Sequence, residues 1–257
     1  MRVSLDIWRQ ESAEAEGRFE PYEDLEIDED ASFLEMLDVL NDRLLVEGKR
    51  PVAFDHDCRE GICGSCSLVI DGMPHGPRQV TSCQMYMRDF ADGSRIRVEP
   101  FRSNSLPVQR DLMVDRSPLD RIIASGGYIT VDAGPKPEPN SIPIHPEIQE
   151  ASMDAAICIG CGACVAACPN GSAMLFTGAK VTHLNLLPQG EPERRHRARA
   201  MVRQHDEEGF GGCTNFGECQ QVCPQNISIK VIGELYREYR QAMIHKLRER
   251  RGPIEAQ

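Results

Sequence analysis

No run of about 18 apolar residues occurs anywhere in the 257-residue sequence, so nothing in it reads as a membrane span. The segment Met1–Gln10 alternates apolar and polar residues and lacks the apolar core of a secretory signal. It also lacks the Arg- and Ser-rich character of a transit peptide, and the expectation is a chain that folds in a reducing cytosol. Excess positive charge is missing too. The formal net charge is −11, with sixteen Lys and Arg against twenty-seven Asp and Glu in residues 1–140 and thirteen of each in residues 141–257. Nucleic acid wants a basic face, so it is not an expected partner. No phosphate loop of the form G-x-G-x-x-G or G-x-x-x-x-G-K is present, and no nucleophile–base pair stands out. The histidines (His56, His75, His145, His183, His196, His205 and His245) are scattered and read as surface or internally satisfied side chains.

What the chain does have is eleven cysteines. A disulfide framework needs an oxidising compartment, and an odd count leaves one thiol over. In a reducing compartment, clustered cysteines point instead to thiolate ligands of soft metal centres.

The first group is Cys58, Cys63 and Cys66, spaced C-x4-C-x2-C, with Cys83 further on. This is the plant-type [2Fe–2S] pattern, in which three thiolates from one tight loop and a distant fourth hold a flat two-iron unit. Gly61 and Gly64 are expected to let the backbone approach closely and aim N–H groups at sulfur. Structural zinc would pair two C-x2-C knuckles, and only one is present here.

The second group, Cys158-x2-Cys161-x2-Cys164-x3-Cys168-Pro169, is the bacterial ferredoxin run. Three of its thiolates hold one cubane, while the cysteine before proline ligates the other cluster of a two-cluster domain. A partner run must therefore exist, and Cys213-x5-Cys219-x3-Cys223-Pro224 supplies it with Phe216 where a further cysteine belongs. The expected result is a [3Fe–4S] cluster held by Cys168, Cys213 and Cys219, beside a [4Fe–4S] cluster held by Cys158, Cys161, Cys164 and Cys223. The alternative is that Phe216 is a packing residue and water or another side chain completes the corner. The missing ligand accounts for the odd cysteine total.

Around these groups the sequence reads as α+β. Val3, Leu5 and Ile7 alternate as in a half-buried strand, a second strand is expected near Leu25 and Ile27, and a helix follows. Ser32 and Glu35 form a capping box for that helix, Phe33, Leu37, Leu40 and Leu44 line one face, and Gly48 stops it. Ser67–Ile70 with Asp71-Gly72 reads as a strand entering a turn, and Ile96 and Val98 mark a last strand. This order suits a β-grasp domain over residues 1–105. Residues 106–149 read as a connector with a short helix, from Ser117-Pro118 to Gly126-Gly127. A stiff segment follows with Pro135, Pro137, Pro139, Pro143 and Pro146. Residues 150–257 read as an α-helical ferredoxin domain, with Ile232, Leu235, Tyr239, Met243 and Leu247 as a packing stripe on a C-terminal helix.

With no substrate site in view, the chemistry belongs to the cofactors, and the protein spaces, insulates and tunes them. A free ferredoxin-like carrier and a subunit of a glycolate- or heterodisulfide-type oxidoreductase are rival readings. The carrier needs neither the proline connector nor the long helix. The oxidoreductase type usually keeps all four cysteines in both runs.

Three stretches resemble the iron–sulfur subunit of succinate dehydrogenase and fumarate reductase: CREGICGSC at 58–66, CIGCGACVAACPNGSAMLF at 158–176, and GFGGCTNFGECQQVCP at 209–224. The resemblance implies an order for the electrons: FAD of a flavoprotein subunit, [2Fe–2S], [4Fe–4S], [3Fe–4S], then haem or quinone in a membrane anchor. It implies a peripheral subunit on the cytoplasmic face of a prokaryotic inner membrane, linking the citric acid cycle to the respiratory chain. Succinate oxidation is the expected direction, with fumarate reduction as the alternative. The ubiquinone-reducing branch carries tryptophans shortly after the cysteine-proline and a histidine after the first cysteine of the last run. This chain has Asn170-Gly171-Ser172-Ala173 and Thr214 instead. Together with the insert around His75-Gly76-Pro77, these resemble the branch whose single anchor carries two b haems and works with menaquinone.

Overall fold

A computed structural model of the chain describes residues 1–130, 138 and 141–251. The alternation of Val3, Leu5 and Ile7 places all three on the buried face of β1 (Arg2–Arg9). Strand β2 (Arg18–Glu26) runs antiparallel to it and begins well before the stretch marked by Leu25 and Ile27. Helix α1 (Phe33–Val46) starts on the expected capping box. The Ser32 hydroxyl accepts from the Glu35 N–H at 3.2 Å, and the Glu35 carboxylate accepts from the Ser32 N–H at 2.6 Å. Just past its end lies Gly48 with φ +67°, the left-handed stop. The face of α1 carrying Phe33, Leu37, Leu40 and Leu44 is buried with the sheet in one apolar core, and each such side chain contributes about 1.5–3 kcal/mol.

The sheet is completed by β3 (Leu68–Ile70), β4 (Met73–Pro74) and β5 (Arg95–Pro100), in the order β2-β1-β5-β3-β4. β5 lies parallel to β1, with Leu5 opposite Ile96, and β3 antiparallel to β5. Asp71 and Gly72 form the β3–β4 turn with φ of 50° and 80°, as an Asp-Gly hairpin requires.

A two-stranded hairpin follows that the sequence patterns did not announce, β6 (Val108–Arg110) and β7 (Met113–Val114). Its turn holds Asp111, whose carboxylate is wholly buried. It accepts from the Gln10 N–H (2.9 Å), the Ala53 N–H (3.0 Å), Arg9 Nε (3.2 Å) and both terminal nitrogens of Arg50 (2.9 Å each). One side chain thus ties the end of β1, the segment after α1 and the hairpin together.

The helical half contains α2 (Ser117–Gly126), α3 (Pro146–Ala156), α4 (Ala163–Ala167), α5 (Met174–Asn185), α6 (Arg194–Glu207), α7 (Glu218–Gln221) and α8 (Lys230–Arg251). Helix α2 is the one expected in the connector, yet it does not hang between the halves. Leu119 and Ile122 are buried in the core of the helical half, and Gly126 approaches the Arg197 backbone so closely that a Cβ would sit 3.2 Å from its Cα. Pro135, Pro137 and Pro139 of the connector lie outside the described residues, while Pro146 occupies the first position of α3. Central helix α5 is buried around most of its circumference, and Gly178 lets it touch α8, where a Cβ would meet Val231 O at 2.8 Å. The stripe on α8 is core at Ile232 and Leu235 but not throughout, since Leu247 is 53% exposed. Among the described residues no helix is long and apolar enough to cross a membrane. The chain is therefore a mixed α+β protein, with a sheet-bearing first half and a helical second half.

Candidate metal centres

The first cysteine group sits on the loop that leads from α1 into β3. Arg59 there has φ +55°, and its guanidinium forms a two-pronged pair with Asp38 of α1 at 2.6 and 3.2 Å, so α1 braces the loop. Cys83 lies across from the loop on a short helical turn, Ser82–Gln84. The structure brings the four cysteines together as two hydrogen-bonded pairs, Cys58 with Cys63 and Cys66 with Cys83. The bond from Cys66 holds the Cys83 thiol down to about 5, while the same bond and burial push Cys66 well up. Burial opposes ionisation of Cys63, but hydrogen bonds from Ser65 and Cys58 together outweigh it and its thiol lies below the usual range.

Polar hydrogens converge on these sulfurs. The Glu60 N–H points at Cys58 Sγ (3.3 Å), the Ser65 N–H at Cys63 Sγ (3.4 Å), and Thr81 Oγ1 lies 3.2 Å from Cys83 Sγ. The Gly61 backbone, at φ +78°, also hydrogen-bonds Cys83. Donors of this kind stabilise sulfur-borne negative charge and raise the potential of a cluster held there. Gly64 has a part beyond the one expected: at φ +71° its missing side chain also makes room for the second half of the molecule.

The other seven cysteines line two cavities. One is walled by Cys158, Cys161, Cys164 and Cys223, with Leu175, Phe176 and Ile227 as apolar lining. The other is walled by Cys168, Cys213 and Cys219, with Phe216 beside them. Each cavity thus takes a thiol from the opposite run. Cys168 ends α4 in extended conformation (φ −77°, ψ 125°), as a residue before proline prefers, and this carries its side chain away from the first cavity. Phe216 is 61% exposed and so is no core packing residue.

Burial pushes the Cys161 thiol up to about 12 and also raises Cys158, Cys164, Cys219 and Cys223. Thiolates so placed would need a cation within the cavity, and iron would provide one. Backbone hydrogens are ready for them: Gly160 for Cys158, Ala163 for Cys161, Ile227 for Cys223 (3.4 Å) and Asn215 for Cys213 (3.4 Å). A donor set of thiols alone, with N–H groups aimed at sulfur and apolar walls behind, fits iron–sulfur clusters.

The two halves of the chain meet at these loops. Ser67 Oγ, next to Cys66, donates to Cys161 O at 3.1 Å, and Gln79 Nε2 donates to Cys223 O at 2.9 Å. Gln225 Nε2 reaches Gly61 O at 3.3 Å, and the Arg116 guanidinium donates to Gly64 O. Phe101 and Val114 from the first half pack with Cys161 and Ala163 from the second. Sequence reading missed all four polar residues. Ser67, directly after Cys66, Gln79, in the insert after His75, and Gln225, after Cys223-Pro224, stood near a motif, and Arg116 did not. Asn170 and Thr214, which depart from the ubiquinone-branch pattern, are bonded to each other (Nδ2 to Oγ1, 2.8 Å). His75 and His205 are buried, and burial lowers both, His75 to about 4.

The chain matches the 2Fe-2S iron-sulfur cluster binding domain family over residues 4–121 and the 4Fe-4S dicluster domain family over residues 157–227. It is 32% identical to the succinate dehydrogenase iron-sulfur subunit of Bacillus subtilis over 206 residues, covering 76% of this chain and 75% of that one. It is 27% identical to the fumarate reductase iron-sulfur subunit of Haemophilus influenzae, covering 78% of each. Among solved structures it superposes on a chain of the Mycobacterium smegmatis Sdh1 complex in the apo form, with a TM-score of 0.61 at 20% identity and 98% of both chains covered, a likeness of fold.

Proposed function

This chain belongs to the family of iron–sulfur electron-transfer subunits of succinate dehydrogenases and fumarate reductases, and from that membership we propose three centres along its length. Cys58, Cys63, Cys66 and Cys83 hold [2Fe–2S]. Cys158, Cys161, Cys164 and Cys223 hold [4Fe–4S]. Cys168, Cys213 and Cys219 hold [3Fe–4S]. The observation that carries this reading is the exchange of thiols between the two cavities, with Phe216 at the corner of the second. In the same reading, residues 1–105 are a β-grasp plant-type ferredoxin domain and residues 150–257 a two-cluster ferredoxin domain.

When bound, the clusters supply one-electron carriers whose potentials depend on cluster type and surroundings. The chain holds their thiolates, aims N–H groups at sulfur, and packs Leu175, Phe176 and Ile227 against the middle cavity, keeping water from it. The first half faces a flavoprotein carrying FAD, and the second half faces a membrane anchor with haem, on the cytoplasmic side of a prokaryotic inner membrane. Electrons run from succinate to quinone. Asn170, Ala173 and Thr214, in place of the aromatic and histidine quinone contacts, favour menaquinone. The fumarate reductases among its relatives keep the reverse direction as the alternative.

The test is electron paramagnetic resonance of the purified membrane complex, with iron counted per chain. The expected result is an oxidised [3Fe–4S] signal together with reduced [2Fe–2S] and [4Fe–4S] signals. Absence of the [3Fe–4S] signal with four irons at that site sinks the assignment. Ready reduction of ubiquinone analogues but not of naphthoquinones counts against menaquinone, and the ratio of succinate oxidation to fumarate reduction decides direction.

A further inference from the structure

One cation stands in the seam between the first two centres. Arg116 sits at the N-terminus of α2, half-buried, and its guanidinium donates to Gly64 O on the first cysteine loop. Gly64 in turn lies on the second cysteine loop, where a Cβ would stand 2.5 Å from Ile159 O and 3.0 Å from Cys161 Cα. Beside it, Ser67 Oγ donates to Cys161 O at 3.1 Å.

We infer that Arg116 is a positioning and tuning residue shared by the first two centres, pinning one cysteine loop against the other and raising the reduction potential of both. The inference rests on the ligand sets proposed above. Reduction adds one electron, hence one negative charge, to a cluster, and a fixed cation in a partly desolvated seam stabilises that charge more than it would in water. Guanidinium is suited to this because it stays protonated throughout the accessible pH range. The sequence hides the residue, since Arg116 lies far along the chain from both cysteine groups and belongs to no motif.

The experiment is a redox titration of the whole complex followed by electron paramagnetic resonance, on the wild type, Arg116→Gln, Arg116→Lys and a control, Arg102→Gln. Arg102 is an exposed cation paired with Glu99. In Arg116→Gln the [2Fe–2S] and [4Fe–4S] potentials are expected to fall together, by roughly tenfold in the reduction equilibrium, about 59 mV for one electron. The [3Fe–4S] potential stays put, Arg116→Lys keeps both potentials near wild type, and Arg102→Gln changes none. Unmoved potentials in Arg116→Gln, or an equal fall in the control, overturn the inference. Should the Gln variant fail to assemble, Arg116→Lys decides alone: unchanged potentials support the role of charge, and a fall at either centre overturns it. Missing cluster signals in the wild type would instead overturn the ligand sets, which keeps the two failures apart.

Discussion

Phe216→Cys is expected to abolish the oxidised [3Fe–4S] signal and raise the iron content by a single atom per chain. The substitution completes the spacing C-x2-C-x2-C-x3-C-P at the run that ends in Cys223-Pro224. Position 216 already lines the cavity walled by Cys168, Cys213 and Cys219, so a thiol there enters a prepared corner. Phe216 is 61% exposed, and its removal empties no core; stability is expected to change by about 0.5 kcal/mol or less. Function changes far more. Cluster type is among the factors that spread iron–sulfur potentials over roughly 1,100 mV. A fall on the order of 100 mV at the last centre corresponds to more than tenfold in a one-electron equilibrium. Quinone reduction should slow at least in proportion, while succinate-dependent reduction of the first centre persists. Iron analysis, resonance spectra and a thermal midpoint measured together separate these effects. An unchanged iron count with an unchanged oxidised signal would show that a thiol at position 216 does not reach the open corner of the cluster.

Gly64→Ala should uncouple the first two centres without removing either. Its backbone has φ +71°, a region that costs a non-glycine residue about 1–3 kcal/mol. The added methyl would also stand 2.5 Å from Ile159 O and 3.1 Å from Cys161 N. Both neighbours are backbone atoms of a cysteine loop and cannot swing aside as a side chain would. The first loop must retreat, loosening the contacts made by Arg116 and Ser67. Because tunnelling falls steeply with distance, rapid mixing of the complex with succinate should show reduced [2Fe–2S] accumulating ahead of [4Fe–4S], although both signals are present at full strength. Simultaneous reduction at the wild-type rate would show that the close approach at Gly64 is not on the electrons' path.

The cysteine groups were the most legible part of the sequence because cluster ligands must come at fixed short spacings, and spacing is what a sequence displays. The same holds for the Ser32–Glu35 capping box, whose partners are three residues apart. Neighbours in space that are distant in sequence left no such trace. Asp111 gathers Arg9, a hundred and two positions away, and Arg50, sixty-one away, and no local pattern marks a short hairpin built around them. The seam is hidden for the same reason: Ser67, Gln79, Arg116 and Gln225 bind backbone carbonyls, which every residue possesses. What Gly64 serves beyond its own loop is hidden too, since nothing local says which surface will lie against it. On α8 the apolar stripe at helical spacing overstated the core, because periodicity shows which face is apolar and not how far the neighbouring helices extend along it.

The placement of α2 bears on how the chain is threaded. Because α2 is already packed into the helical core, the proline-rich stretch after it leads from one member of that half to another, α2 to α3. The covalent crossing between halves is the short segment between β7 and α2, flanked by the buried Val114 and Leu119. A protease cut between residues 130 and 141 would therefore leave two fragments still clasped, with the first two centres undisturbed. The gap between those centres is set by packed side chains instead of by the swing of a tether, so the relay works as a rigid mount that needs no docking motion between one electron and the next.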